Sequence, residues 1–119
     1  MRKCLICSTD ITITSCHCKA CNTSYKREFS LPRLARLSQE EQLLAEGLIL
    51  HGGNLKEMAD TLDISYPTLK KRLNELTSAL QNKKDEDEQR VEKILDEIAS
   101  KKLGAEEGIA AIREINGEL

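Results

Sequence analysis

Two pairs of cysteines near the start of the chain have the spacing of a metal site. Cys4 and Cys7 form one C-x-x-C pair, ten residues follow, and Cys18 and Cys21 form the second pair. Each pair can present two thiolates to one edge of a metal ion, and two such edges complete the tetrahedral arrangement that Zn²⁺ prefers. The spacing therefore predicts one Zn²⁺ bound by these four cysteines. Because no ligand position stays open for water, we expect the zinc to be structural.

Two further donors, Cys16 and His17, directly precede the second pair. Only Cys18 stands at the C-x-x-C spacing from Cys21, so the prediction takes these two residues as ligands, and a replacement by Cys16 or His17 stays open. Cys16 is then either a half-buried strand residue or a redox or metal-exchange partner. An odd number of cysteines in a short segment favours a metal site in a reducing compartment over a disulfide framework.

The residues around the cysteine pairs predict a small sheet. Residues 11–14 read Ile-Thr-Ile-Thr, which has the alternation and the β-branched composition of a strand. Residues 25–29 can return as its partner strand. The cysteine pairs and the strands together predict a zinc ribbon over residues 1–30.

Residues 53–76 have the pattern of two helices joined by a turn. They read GNLKEMADTLDISYPTLKKRLNEL. Asn54 can cap the first helix, and Glu57 can reach back to the amide of that cap. Ser65 can cap the second helix, and Pro67 is tolerated in its first turn because the amides there have no helical partner. The pattern predicts a helix-turn-helix.

The second of these helices has an apolar inner face and a polar outer face. Leu69, Leu73 and Leu76 fall on the inner face at about 100° per residue. Lysine on the outer face can bind guanine or phosphate, and asparagine can bind adenine, when such a helix enters a major groove. We expect contacts to double-stranded DNA from the following seven residues: Ser65, Tyr66, Pro67, Thr68, Lys70, Lys71 and Asn74.

A supporting helix is predicted before this motif, because two helices alone bury too little surface. Ser38, with Glu41 three residues later, forms a capping box, and Gly52-Gly53 predicts the end of the helix. Arg33 and Arg36 lie in the segment that leads into it. They either face phosphates or, as is commoner for surface arginines, are solvated.

The C-terminal third predicts a helical hairpin. Residues 68–103 contain neither Gly nor Pro. Within them, apolar residues stop after Leu80 and resume at Val91. The acidic run between them favours a break or an exposed hinge, and a continuous solvated helix is the alternative. Two amphipathic helices follow, and their isoleucine stripes are expected to pair with each other and with a second copy of the chain, which favours a homodimer. Packing of these stripes onto the helix-turn-helix is the other possibility.

Charge is distributed unevenly along the chain. Residues 1–37 have a net charge of +5, residues 38–81 of −3, and residues 82–119 of −4. A DNA-binding domain is usually more basic than the middle segment. The distribution therefore weakens the attraction of the helix-turn-helix for DNA, or it places phosphate contacts on the N-terminal third.

Composition and motifs exclude several classes of protein. With three aromatic residues and 32% charged residues, small modules are expected rather than one large core. No apolar run reaches the ~20 residues of a membrane helix, and the N-terminus lacks the apolar region of a signal peptide, so we expect a cytoplasmic protein. There is no Ser/His/acid set, no phosphate loop and no open metal position, so we expect neither an enzyme nor a small-molecule substrate.

Two resemblances extend these predictions. Residues 53–76 resemble the Fis type of helix-turn-helix, with Asp63 where a Gly is usual; Asp tolerates the left-handed backbone of that turn. Together with the cysteine pairs and the segment F-S-L-P-R-L-A-R-L-S, they resemble the bacterial family called domain of unknown function 2089. Many members of that family have Pro and Gly inside the cysteine turns, where this chain has Leu5-Ile6 and Lys19-Ala20. The resemblance implies a zinc ribbon fused to a helix-turn-helix, with a role in transcription.

The predicted fold class is mainly α, with three segments. These are the zinc ribbon over residues 1–30, a three-helix helix-turn-helix domain over residues 31–81, and a helical hairpin over residues 82–119 that can serve for dimerisation. The predicted function is a DNA-binding transcriptional regulator with structural Zn²⁺. The alternative is a protein-interaction adaptor that acts on the transcription machinery.

Overall fold

The computed structural model of the chain describes residues 3–117. The chain is mainly helical with a small two-stranded sheet at its N-terminal end, as the sequence predicts. It divides into two compact units, with the boundary between Pro32 and Arg33. Whether residues 31–81 and 82–119 fold as separate domains stays a prediction.

The N-terminal unit contains two antiparallel β-hairpins. Strand β1 (Ile13–His17) pairs with strand β2 (Ser24–Phe29), with an irregularity in register near Ser15. A smaller hairpin is closed by one antiparallel bridge between Lys3 and Asp10. None of residues 3–32 is buried. Apolar packing therefore contributes little to the stability of this unit.

Within residues 33–117 the helical unit contains one short 3₁₀ helix and four α-helices. The 3₁₀ helix spans Arg33–Arg36. The α-helices are α1 (Gln39–Leu50), α2 (Leu55–Leu62), α3 (Tyr66–Ala99) and α4 (Ala105–Ile115). None of the helices within residues 3–117 combines the length and the apolar character needed to cross a membrane.

The predicted N-caps of the first three helices are confirmed. Ser38 Oγ accepts from the amide of Glu41 at 3.2 Å, and the side chain of Asn54 accepts from the amide of Glu57 at the same distance. One detail differs from the prediction. The backbone amide of Asn54 donates to the carbonyl of His51 rather than to the Glu57 carboxylate. That carboxylate instead accepts a hydrogen bond from the side-chain amide of Asn54 at 3.4 Å. The tight glycine turn after α1 turns the chain so that the carbonyl of His51 faces this amide.

The core of the helical unit lies where α1, α2 and α3 meet. Met58 and Ala59 of α2 and Leu69 of α3 are almost fully buried. Small Ala59 lets the two helices approach closely, and Leu37 and Leu76 extend the buried surface. Five partly buried side chains pack against this centre: Leu44, Leu48, Leu55, Ile64 and Leu73.

The favoured break between Leu80 and Val91 was wrong. Helix α3 is continuous over 34 residues, because nothing in the acidic run interrupts the backbone and its side chains pair along the helix. Lys83 lies 3.7 Å from Glu86, and Lys84 lies 4.0 Å from Glu88. Pairs three and four residues apart stabilise a helix by a few tenths of a kcal/mol each. The predicted alternative, a continuous helix, is therefore the correct one.

Helix α4 packs against the distal part of α3 through a glycine. Gly108 is buried, and a Cβ atom built on it would lie 2.2 Å from Cδ1 and 2.6 Å from Cγ1 of Ile98. Ile94 lies on the other side of the same contact, 3.5 Å from the built atom. The isoleucine stripe of α3 thus packs against α4 at Gly108.

We expect Gly108→Ala to loosen the contact between α3 and α4. Alanine gains about 1 kcal/mol of helix propensity over glycine, but overpacking of a close contact costs about 1–3 kcal/mol. The net loss should appear in urea unfolding followed by circular dichroism. Ile98→Val removes the atom nearest to the new methyl group, so it should cost less in the Gly108→Ala background than in the natural chain. Strict additivity of the two changes would contradict this close approach.

Candidate nucleic-acid interface and cysteine turns

The turn between α2 and α3 fixes the start of the helix that carries the predicted DNA contacts. Asp63 adopts the left-handed conformation (φ 54°, ψ 46°) that the resemblance implied. Its amide donates to the carbonyl of Asp60, and the amide of Ile64 donates to that of Ala59, so the carbonyls at the end of α2 are satisfied. Ile64 then packs into the core, and the chain enters α3 at Ser65.

Ser65 and Thr68 serve mainly as the cap of α3. Ser65 Oγ accepts from the amide of Thr68 at 3.3 Å, and the two hydroxyl groups lie 2.7 Å apart. Pro67 stands in the first turn of the helix, as predicted. Both hydroxyl groups are exposed, so each retains capacity for a further hydrogen bond.

The other predicted contact residues lie together on the outer side of α3. Leu69 is fully buried and Leu73 is partly buried, whereas Lys70, Lys71 and Asn74 are exposed. We name the outward surface of the first five turns the recognition face. It is lined by the following residues: Tyr66, Pro67, Lys70, Lys71, Asn74, Glu75, Ser78, Ala79 and Asn82. Its polar groups can donate to phosphates and to base edges.

The recognition face is limited to the first part of α3. Because the helix is continuous, the side of Lys70 and Asn74 can be followed beyond Asn82 at 100° per residue. On that same side the exposed residues are then Asp85, Glu88 and Glu92. Carboxylates repel the phosphates of DNA. The chemistry of a DNA surface is therefore confined to the beginning of the helix.

His51 ties the end of α1 to α2 beneath this motif. Its Nδ1 donates to the carbonyl of Gly47 at 2.6 Å, and its Nε2 lies 3.2 Å from Oγ1 of Thr61. The Thr61 hydroxyl donates in turn to the carbonyl of Glu57 at 2.9 Å. These bonds hold the two supporting helices in register.

A buried ionic cluster was missed by the sequence analysis. Asp87 of α3 is almost fully buried and binds Arg33 at 2.8 Å through Oδ2, and Arg36 donates to the same oxygen. Arg90 lies 3.5 Å from Oδ1. The expectation that Arg33 and Arg36 are solvated or face phosphates was wrong. The acidic run, which the sequence predicts to be an exposed hinge or a solvated helix, is buried at Asp87.

One signal in the sequence would have identified this cluster. If α3 is taken as continuous, Asp87 lies on the same stripe as Leu69, Leu76 and Leu80, because 18 residues are five helical turns. A carboxylate on a buried stripe requires a cationic partner. The 3₁₀ helix that supplies it is held by Gln42, whose side-chain amide donates to the carbonyls of three residues: Leu34, Ala35 and Leu37.

The two cysteine turns have the same internal geometry. In the first, the amide of Cys4 donates to the carbonyl of Thr9 at 2.8 Å; in the second, the amide of Cys18 donates to that of Thr23 at 2.8 Å. The second thiol of each turn lies near the hydroxyl of its threonine, at 3.0 Å for Cys7 and at 3.1 Å for Cys21.

A left-handed residue follows the second cysteine of each turn. Ser8 has a φ of 59° and Asn22 has a φ of 58°. Asparagine tolerates this conformation better than serine does. The turns are thus two copies of one local structure, each able to present a pair of sulfur atoms.

The surroundings of two thiols favour their thiolate forms. The hydroxyl and the backbone of Thr9, with a smaller contribution from Cys4, lower the pKa of Cys7 to about 7. The hydroxyl and the backbone of Thr23, followed by Cys18, lower the pKa of Cys21. Since the thiolate is the form that binds metals, these environments suit a ligand role.

The structure does not gather the four predicted ligands. Within residues 3–117 no group of three or more His, Cys, Asp and Glu side chains is placed to hold a metal ion. All five cysteines are free thiols. Cys16 is exposed and lies opposite Tyr25 in the sheet, while His17 Nδ1 lies 2.8 Å from Ser24 Oγ. The donor chemistry of the two turns fits zinc, and the ligand set stays a prediction.

Helices α1 to α3 pack around one core. Residues 37–83 match a family model described as "Domain of unknown function (DUF2089)-HTH". The resemblance that the sequence predicts is therefore confirmed over these residues. The cysteine turns lie outside the matched residues. No curated protein and no solved structure gives a significant match.

Proposed function

We propose that the protein is a DNA-binding regulator of transcription that inserts the beginning of α3 into the major groove. The observation that carries this proposal is the recognition face, where Lys70, Lys71 and Asn74 are exposed above a buried leucine stripe. A helix with this distribution can enter the groove without disturbing its own core. The proposal assigns a binding role in the cytoplasm and no catalytic reaction.

The length of α3 restricts how DNA is approached. Its 34 residues extend over about 51 Å at 1.5 Å per residue, and the acidic side begins about halfway along. The distal half, with Glu88 and Glu92, must therefore point away from the phosphates. Lysines near the start of the helix then provide the attraction, and Asn74 can contribute a bidentate contact to adenine.

We expect Lys70→Ala combined with Lys71→Ala to weaken DNA binding strongly and to reduce its salt dependence. Each lost phosphate contact lowers the slope of log K against log salt by about 0.9. Binding to mixed genomic DNA can be measured by fluorescence anisotropy at several salt concentrations. Lys84→Ala combined with Lys93→Ala removes the same charge from the distal part of the helix and should change binding much less. Equal losses in both double variants would rule out a localised groove contact.

We propose further that Cys4, Cys7, Cys18 and Cys21 bind one structural zinc ion. The support is the shared geometry of the two turns together with the lowered pKa of Cys7 and of Cys21. Bound zinc supplies folding free energy to a segment that has no buried residue of its own. Four thiolates leave no position for a reacting water, so the role is structural.

An adaptor of the transcription machinery is the second candidate. It is favoured by Leu5 and Ile6 at the tip of the first cysteine turn, which are 86% and 95% exposed. Adjacent exposed aliphatic side chains are typical of a protein-binding surface. Groove binding loses affinity steeply with salt, so a salt-insensitive or absent interaction with mixed genomic DNA would favour the adaptor.

The proposed regulator acts as a homodimer, because one helix-turn-helix reads only a few base pairs. The sequence places the dimer contact in the helical hairpin. Packing of α4 on α3 leaves Leu95 and Ile109 about half exposed there. These two residues are the apolar groups through which that contact would form.

A further inference from the structure

Glu75 is a carboxylate on the recognition face that the predicted DNA contacts leave out. It is exposed and lines the same surface as Lys71 and Asn74. At about 100° per residue, Lys71 and Ser78 lie opposite the buried leucine stripe of α3. Asn74 and Glu75 flank them, each turned about 50° to one side. Glu75 therefore reaches a groove as readily as Asn74, to which a base contact is assigned.

The carboxylate of Glu75 has no partner within the described part of the chain. Arg72 and Lys71 precede it by three and four residues, which are the spacings at which ion pairs form on a helix. Among residues 3–117, neither of them forms a salt bridge with Glu75, and Glu75 accepts no side-chain hydrogen bond. Further along the same helix, Glu86 and Glu88 do pair with lysines. The oxygens of Glu75 are therefore available to a ligand.

A free carboxylate is unfavourable on a surface that binds only phosphates. DNA carries one negative charge for about every 1.7 Å of its axis. Lys70 and Lys71 line the recognition face, and Glu75 offsets the charge of one of them. Binding that depended on phosphates alone would therefore be stronger without Glu75.

The base edges of the major groove give the carboxylate a partner. Glutamate can accept a hydrogen bond from the N4 amino group of cytosine. Adenine also presents an amino group, but its N7 acceptor lies beside that group and repels a carboxylate. Guanine and thymine present only acceptors there, apart from the thymine methyl group. Of the four bases, cytosine is thus the one that suits Glu75.

We infer that Glu75 is a specificity-determining residue that accepts a hydrogen bond from N4 of a cytosine in the major groove. This contact rests on the proposed binding of α3 in the groove, and it names one of the base pairs that this helix selects. Glu75 lowers the affinity for DNA in general and restores it where a C·G pair lies opposite. Discrimination by repulsion of the wrong partner is a common source of specificity.

The first test compares the sequences that two chains select from random DNA. Glu75→Gln keeps the size of the side chain, removes its charge and introduces an amide that can bind adenine. The natural chain should select a C·G pair at one position, and the Glu75→Gln chain should lose that preference, or exchange it for adenine, at that position alone. Identical selected sequences would overturn the cytosine contact.

The second test measures affinity for the selected duplex and for mixed genomic DNA by fluorescence anisotropy. Glu75→Gln should bind genomic DNA several-fold more tightly and should lower the ratio of the two affinities by about tenfold. Glu92→Gln is the matched control, because it removes an exposed carboxylate about 25 Å further along the same helix and should leave the ratio unchanged. Tighter binding of Glu75→Gln to both DNAs by the same factor would show that Glu75 acts only through overall charge, and would overturn the contact.

A double-mutant cycle assigns the contact to one base pair. Exchange of the selected C·G pair for T·A should weaken binding of the natural chain by about tenfold and that of the Glu75→Gln chain much less, because its partner group is already lost. Equal effects in the two chains would contradict the contact. A natural chain that binds no DNA would refute the DNA-binding role as well, whereas a base preference independent of Glu75 would refute only the cytosine contact. Circular dichroism establishes that both variants keep their helices.

Discussion

Cys18→Ser is expected to abolish zinc binding and to unfold the segment from residue 3 to residue 32. None of these residues is buried, so burial of apolar surface cannot compensate for the entropy of ordering the chain. Structural zinc supplies about 10 kcal/mol or more to domains of this kind. Loss of one ligand should therefore remove most of the folding free energy of the unit, while the helical unit keeps its own core.

The measurement combines metal analysis with amide chemical shifts. The natural chain should contain one zinc ion per molecule, and Cys18→Ser should lose both the metal and the shift dispersion of residues 3–32. Cys16→Ser is the matched control, since Cys16 is an exposed thiol two residues away and should leave both unchanged. Zinc loss in Cys16→Ser would show that the ligand set is wrong, and a natural chain purified with intact thiols that binds no zinc would refute the metal site itself.

Features of the fold that depend on neighbouring residues could be predicted from the sequence. The caps at Ser38, Asn54 and Ser65, and the left-handed turn at Asp63, each arise from interactions within about five residues. The placement of Lys70 and Asn74 outside a leucine stripe follows from helical periodicity alone. The structure therefore confirms these predictions.

Features that depend on distant residues could not be read in the same way. The acidic run was interpreted as a hinge because its composition is polar, but Asp87 is buried through arginines more than fifty positions earlier. Local charge pattern carries no information about such a partner. The cysteine turns are a second example. The C-x-x-C spacing predicts each turn, but it does not predict how the two turns are placed relative to each other.

The second large effect is expected for Asp87→Ala. This change removes the anion that Arg33 and Arg36 share and leaves their charges without a partner in a partly buried position. Breaking a buried ion pair in this way costs about 3–5 kcal/mol. Because the side chains of Arg33 and Arg36 are 34% and 22% exposed and can partly turn towards water, we expect about 3 kcal/mol. Urea unfolding followed by circular dichroism measures the loss.

Glu88→Ala is the matched control, because it removes a carboxylate from the next position of the same helix. Glu88 is exposed and lies 4.0 Å from Lys84, so its loss should cost no more than about 1 kcal/mol. A similar small loss for Asp87→Ala would show that the cluster does not hold the 3₁₀ helix against α3.

A double variant separates the value of the ion pair from the cost of an unpaired charge. Arg36 has an Nε atom that is buried and, among residues 3–117, has no hydrogen-bond partner, so this arginine already carries a desolvation cost. Replacement of a buried ion pair by apolar residues is often neutral or stabilising. Asp87→Leu combined with Arg36→Leu should therefore be more stable than Asp87→Leu alone. If the double variant is instead less stable by the sum of the single effects, Asp87 and Arg36 are not coupled, and the idea that each charge neutralises the other is wrong.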